Sequence, residues 1–178
     1  EACRPWYFHK GLGPALVRPA HKFLTDRGAQ IRFKARLRGI RWADHRVTSL
    51  YFSEGMVRVA REDAVVLALP ADACNEIWPE AKAPTEFRTI VNAHFRLDQP
   101  VTLPWEMPFL GLINAETQWI FVRDNIVSLT ISAADQLADS PNWEIANKLW
   151  AEAGPVVGRS AGRLPAWRII KERRATFA

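Results

Sequence analysis

Ala64-Val65-Val66-Leu67-Ala68-Leu69-Pro70 is apolar at every position up to its closing proline. A run of this length with no polar face reads as a central strand covered by packed layers on both sides, and Pro70 ends it. The stretch also divides the chain. Before it, short β-segments alternate with polar breaks. Beyond it, Pro79, Pro84, Pro100, Pro104 and Pro108 punctuate the sequence and exclude a long helix across that region.

Toward the N-terminus, the pattern predicts strands near 30–34, 36–43, 46–53, 56–61 and 64–69. The breaks fall at Ala43-Asp44-His45, Ser53-Glu54-Gly55 and Glu62-Asp63. Val57 and Val59 flank Arg58, the alternation of a strand with one buried face. Further back, Gly13 to Gly28 reads as an amphipathic helix with Leu16, Ala20, Phe23, Leu24 and Arg27 on one face. Pro14 suits the first turn and Gly28 the position past the end, while Pro19 predicts a bend or a late start.

Toward the C-terminus, strands are expected at 88–97, 109–113, 117–123 and 126–133, with Asp124-Asn125 as a two-residue hairpin turn. Pro141 to Ala153 reads as a helix capped by Ser140, with Trp143, Ala146, Leu149, Trp150 and Ala153 on one face. A last strand begins at Ala166-Trp167-Arg168. The fold class is α+β, a mixed and largely antiparallel sheet with packed helices.

The 178 residues allow one domain or parts of two. Eight Trp and nine Phe supply large apolar surfaces for a core or an apolar pocket. Cys3 and Cys74 make no disulfide framework. The histidines His9, His21, His45 and His94 are too dispersed for a local metal motif, so no metal is expected. The longest apolar run falls far short of the roughly 20 residues of a membrane-spanning helix. The opening Glu-Ala-Cys-Arg-Pro-Trp resembles no signal peptide, so a cytoplasmic location is the default. Both ends read as cuts through a longer chain.

Charge is uneven. Residues 1–70 hold 13 Lys+Arg against 6 Asp+Glu, a net of +7; residues 71–168 hold 8 against 12, a net of −4; the last ten hold 3 against 1. The basic half faces either phosphates or simply solvent across an Arg-rich β-surface.

Gly28-Ala29-Gln30-Ile31-Arg32-Phe33, Ala35-Arg36-Leu37-Arg38-Gly39-Ile40 and Ala64 to Pro70 together resemble the middle of the FAD-dependent amine oxidase and phytoene desaturase superfamily. Downstream, the likeness narrows in Thr89 to Leu97, Phe109-Leu110-Gly111-Leu112, Gln118-Trp119-Ile120-Phe121, Ile131-Ser132-Ala133-Ala134 and Lys171 to Ala178. These segments resemble the squalene-associated branch, the hydroxysqualene dehydroxylases of bacterial hopanoid biosynthesis. The resemblance covers residues 10 to 178.

The resemblance implies an FAD-dependent oxidoreductase acting on a long isoprenoid, by reductive dehydroxylation of hydroxysqualene to squalene. It implies that Arg36 and Leu37 lie by the adenine side of FAD, and Ala68, Leu69 and Pro70 near the flavin; plain core is the other reading of Leu37 and Leu69. Residues 1–75 then form part of the FAD-binding domain, 76–168 the substrate domain, and 169–178 a strand returning to the first. Phe95, Phe109, Trp119 and Phe121, with Trp105, are the candidate pocket aromatics; sheet core is the alternative for each. A proton donor for departing water is required. His94 and Glu106 qualify by residue type alone, and no catalytic residue is assigned.

One departure is plain. The superfamily holds the FAD pyrophosphate on a GxGxxG turn between a strand and a helix. Gly11-Leu12-Gly13-Pro14 is the nearest approach here, and it lacks the third glycine. FAD binding by this chain alone is therefore expected to be weak or absent. The implied partners are an isoprenoid small molecule and the remaining FAD-binding segments of the same polypeptide. Peripheral membrane contact and self-association through cut strand edges are further options. A basic nucleic-acid-binding module or a non-catalytic interaction domain is the alternative, prompted by the pI of 9.6. No nucleic acid is expected, because residues 27–46 carry an isolated Trp42 and no recognisable binding motif.

Overall fold

The computed structural model describes Tyr7, Phe8 and residues 11–178; the first six residues, Cys3 among them, and His9 and Lys10 lie outside the described set. The chain forms two compact units. One holds Leu12–Thr85, the other Glu86–Ala178 with Tyr7, Phe8 and Gly11.

In the first unit, Gly13–Val17 winds as a wide π-type turn and continues as helix α1, Arg18–Thr25, with Pro19 in its first turn. Helical backbone is continuous across Pro19, with Leu12, Val17 and Arg18 all right-handed, so in place of the expected bend or late start the winding changes there from π-type to α. Strands β1 (Leu37–Ala43), β2 (Arg46–Phe52) and β3 (Gly55–Arg58) form an antiparallel meander in that order. The β1–β2 turn is Asp44-His45, both at positive φ (51° and 59°), as a two-residue turn that follows strand twist demands. Helix α2 spans Ala71–Ile77.

Two expected strands are absent. Residues 30–34 and 64–69 pair with no strand among the described residues, and Lys34 turns the first of these stretches with a left-handed φ of 61°. Val66 is 86% exposed, so the run does not serve as a central strand with both faces covered. Apolar content creates the preference, but a strand needs a partner's hydrogen bonds to exist.

The second unit is built on β4 (Phe87–Arg96), β5 (Phe109–Gly111), β6 (Trp119–Arg123), β7 (Ile126–Ile131) and β8 (Ala166–Phe177). Their spatial order is β5-β6-β7-β4-β8, all neighbours antiparallel. Asp124-Asn125 makes the β6–β7 turn as predicted. Strict alternation along β4 sends Val91, Ala93 and Phe95 to one face, each fully buried. Helices α3 (Asp135–Asp139) and α4 (Asn142–Val156) follow β7. Ile145, Ala146, Leu149, Trp150 and Ala153 of α4 join the β4 residues in one core, with the Phe95 and Trp150 rings 4.9 Å apart.

Helix α4 corrects two expectations. Ser140 does not cap it: Pro141 holds that position without a side-chain bond, and the Ser140 carbonyl accepts from Lys171 Nζ at 2.7 Å. Trp143 is 59% exposed, its place in the core taken by Ile145. The helix ends in a Schellman motif, with Gly158 at φ +68°, Arg159 N–H bonded to the Gly154 carbonyl and Gly158 N–H to that of Pro155. Gly154 allows Trp150 to approach, since a Cβ there would sit 3.2 Å from the indole.

Helix α3 was not expected from sequence. Five residues cannot sustain a helix by propensity. Its first carboxylate, Asp135, accepts the Thr89 N–H of β4 at 3.0 Å, and at its far end Arg173 of β8 reaches Asp139 and the Ala138 carbonyl.

Candidate functional site

The face of the five-stranded sheet opposite α4 carries the remaining side chains of the alternation. Directly paired residues share a face, so the registers define two rungs across the sheet. One runs Phe109, Phe121, Ser128, His94, Arg168; the next runs Gly111, Trp119, Thr130, Asn92, Ile170. The β5–β6 side is aromatic and the β7–β4 centre is polar.

The aromatic side is a continuous cluster. Phe109 lies 5.8 Å from both Trp119 and Phe121, and the Tyr7 ring stacks on Phe121 at 6.2 Å. Trp119 remains 43% exposed, and the two phenylalanines are half-buried. The polar side chains bond in cross-strand pairs: Thr130 Oγ1 donates to Asn92 Oδ1 at 2.8 Å, and His94 Nδ1 lies 2.9 Å from Ser128 Oγ. Partial burial and the Arg168 guanidinium together lower the His94 pKa, so the ring is neutral at pH 7.

Of the pocket aromatics read from sequence, Phe109, Trp119 and Phe121 are thus brought together. Phe95 is corrected: it is fully buried on the other face against Trp150, because its position in β4 is one residue out of phase with His94. Trp105 is 84% exposed in the Pro104–Glu106 turn, off both rungs. Glu106 lies in the same turn, exposed, with a left-handed φ of 54°. Asn92, Ser128 and Thr130 escaped the sequence reading. Their signal was a polar residue at every second position of two apolar strands, which becomes a site only once the register is known.

A glutamate braces the edge of this face. Glu152 of α4 accepts the backbone N–H of Thr117 at 2.8 Å and of Glu116 at 3.0 Å, holding the β5–β6 connection just before Trp119. Burial pushes its pKa up, but these backbone donors outweigh it and the net shift is downward.

The residues expected beside a flavin nucleotide lie in the first unit. Leu37 opens β1, half-buried and paired with Phe52. Arg36 is exposed, 3.8 Å from Glu76 of α2. Ala68, Leu69 and Pro70 are exposed, with Pro70 preceding α2. The Arg36–Glu76 pair and the Trp42–Trp78 contact at 4.9 Å bring β1 and α2 together, so the two segments belong to adjoining elements. These residues offer apolar surface and one engaged guanidinium. They do not fit a diphosphate: among the described residues no glycine-rich turn joins a strand to a helix. A Cβ built at Gly13 or Gly28 meets nothing within 4 Å, so neither is kept small for a close neighbour.

The chain is 41% identical to a hydroxysqualene dehydroxylase of Sinorhizobium fredii over 177 residues, 99% of the chain and 42% of that protein. A hydroxysqualene dehydroxylase of Rhodopseudomonas palustris is also 41% identical, over the whole chain and 42% of its own length. One of Zymomonas mobilis is 32% identical over 99% of the chain. The chain therefore spans about two fifths of the length of the relatives it matches. Residues 1–177 match the flavin containing amine oxidoreductases, and the chain belongs to that family.

Proposed function

We propose that this chain is part of an FAD-dependent oxidoreductase whose five-stranded sheet presents its open face to a long isoprenoid. The whole protein removes the hydroxyl of hydroxysqualene reductively, giving squalene. The observation that carries this is the division of one face into an aromatic side and a hydrogen-bonding centre, matching a long hydrocarbon that bears a hydroxyl. Each CH₂ taken out of water against Phe109, Trp119 and Phe121 contributes about 0.8 kcal/mol. The names of the relatives support the substrate.

In this reaction the C–O bond breaks, a hydride is delivered to carbon, and the oxygen leaves as water after taking up a proton. FAD supplies the redox chemistry when bound in the whole protein. Residues 1–75 belong to its domain, with Arg36 and Leu37 by the adenine side of the cofactor and Ala68, Leu69 and Pro70 near the flavin. Residues 76–168 belong to the substrate domain, and 169–178, which pair with β4 as the later part of β8, run on from it toward the first. The diphosphate is held by segments other than these. No helix among the described residues is long and apolar enough to cross a membrane. In this reading the protein is cytoplasmic, and any meeting with a membrane that dissolves the isoprenoid is peripheral.

The test is the visible spectrum of the protein at the full length of its relatives, purified without added cofactor, followed by turnover of hydroxysqualene. A flavin spectrum and squalene as product are expected. A colourless protein that also refuses added FAD would sink the proposal and bring the basic half, and nucleic acid, forward.

A further inference from the structure

We infer that the His94–Ser128 rung, supported by Asn92–Thr130, is the seat of the substrate's hydroxyl. The inference rests on the reading of this face as isoprenoid-binding and adds the residues that distinguish the alcohol from the hydrocarbon. Four hydrogen-bonding side chains fill the centre of this face, between the aromatic rings of β5 and β6 and the Arg168 and Ile170 positions of β8. Half-buried polar groups are costly unless paired, and apolar residues would serve packing as well. Here the pairing is internal and, among the described residues, incomplete: Asn92 keeps its amide donors after accepting from Thr130, and His94 keeps its second ring nitrogen.

A hydroxyl both donates and accepts. A neutral imidazole beside a serine hydroxyl can meet it in either sense, whereas an imidazolium could only donate. Arg168, next to His94 on β8, opposes protonation of the ring. Position also fits. Ser128 is the direct neighbour of Phe121 in one rung, so a chain lying over Phe121 and Phe109 reaches the polar pair one strand further on, about 4.8 Å away.

The experiment compares binding of hydroxysqualene and squalene to the full-length flavoenzyme by calorimetry, both presented in the same detergent. The wild type should prefer the alcohol by about tenfold, the worth of one good neutral hydrogen bond. Ser128→Ala and His94→Phe should each bring the ratio toward one while leaving squalene affinity unchanged, and His94→Asn should restore part of it. If His94→Phe fails to fold, Ser128→Ala, which removes a single oxygen, carries the test. A wild type that turns over hydroxysqualene, with variants that keep its preference, overturns the assignment and leaves the function standing. Variants that lose both ligands equally overturn it too. A wild type that neither holds flavin nor binds either ligand overturns both.

Discussion

Replacing Phe95 and Phe121 separately by alanine tests the alternation on which the whole site depends. Both are aromatic residues in neighbouring parts of one sheet, and sequence alone assigns them the same role. In the structure Phe95 is fully buried, its ring 4.9 Å from that of Trp150, which is itself 1% exposed. Deleting it removes an aromatic side chain and leaves a cavity beneath an indole fixed by its Nε1–H bond to the Ser160 carbonyl. Such Phe→Ala changes cost about 3–5 kcal/mol. Phe121 is half-buried on the open face and touches the Phe109 and Tyr7 rings. Its loss should cost about 1–2 kcal/mol, partial burial plus two ring contacts. Urea unfolding followed by tryptophan fluorescence separates them. With a slope of about 2 kcal/mol per molar, F95A should lower the midpoint by about 2 M and F121A by less than about 1 M. Substrate affinity should fall only in F121A among variants that remain folded. Equal midpoints, or a larger loss for F121A, would refute the assignment of faces.

Glu152→Gln should destabilise by about 1–3 kcal/mol in the same assay, because one acceptor becomes a donor facing the N–H of Thr117 or Glu116. Asp135 has a lowered pKa through the Thr89 hydroxyl and N–H and, more weakly, Arg88. Its contribution is therefore fully present above the ordinary carboxylate pKa and is lost as pH falls through the lower folded value. The stability gap between wild type and Asp135→Asn should be constant near neutrality and close in acid, measured as urea midpoints across pH. Trp143→Ala, at an exposed position, should change stability by no more than about 0.5 kcal/mol, whereas Trp150→Ala should cost about 3–5 kcal/mol.

Much of the second unit was legible in the sequence. The long strand through Val91, Ala93 and Phe95, the turn at Asp124-Asn125 and the helix around Leu149 all follow from period and turn chemistry, which are local. What failed was non-local. Residues 30–34 and 64–69 have strand composition, yet a strand exists only where another chain segment accepts its hydrogen bonds. Trp143 and Ile145 were exchanged because both suit an apolar stripe, and the facing surface decides which enters. Helix α3 is held by Thr89 and Arg173, residues distant in sequence. The candidate site was half legible for the same reason. Its aromatics announce themselves by type, whereas Asn92, Ser128 and Thr130 acquire meaning only when β4 and β7 are set side by side.

The two ends of α3 are fastened to different strands: Asp135 to the Thr89 N–H of β4, and Asp139 with the Ala138 carbonyl to Arg173 of β8. The short helix is thus a cross-tie between adjacent strands. A terminal strand at the margin of a sheet ordinarily peels first, because it is held along one side only. Here peeling the C-terminal part of β8 must also unlatch Arg173, and Lys171 from the Ser140 carbonyl. The strand's opening is therefore coupled to that of the core beneath α3. Amide protons of β8 around Lys171 and Arg173 should exchange with the core strands, while the first residues of β8, which have no such tie among the described residues, exchange sooner.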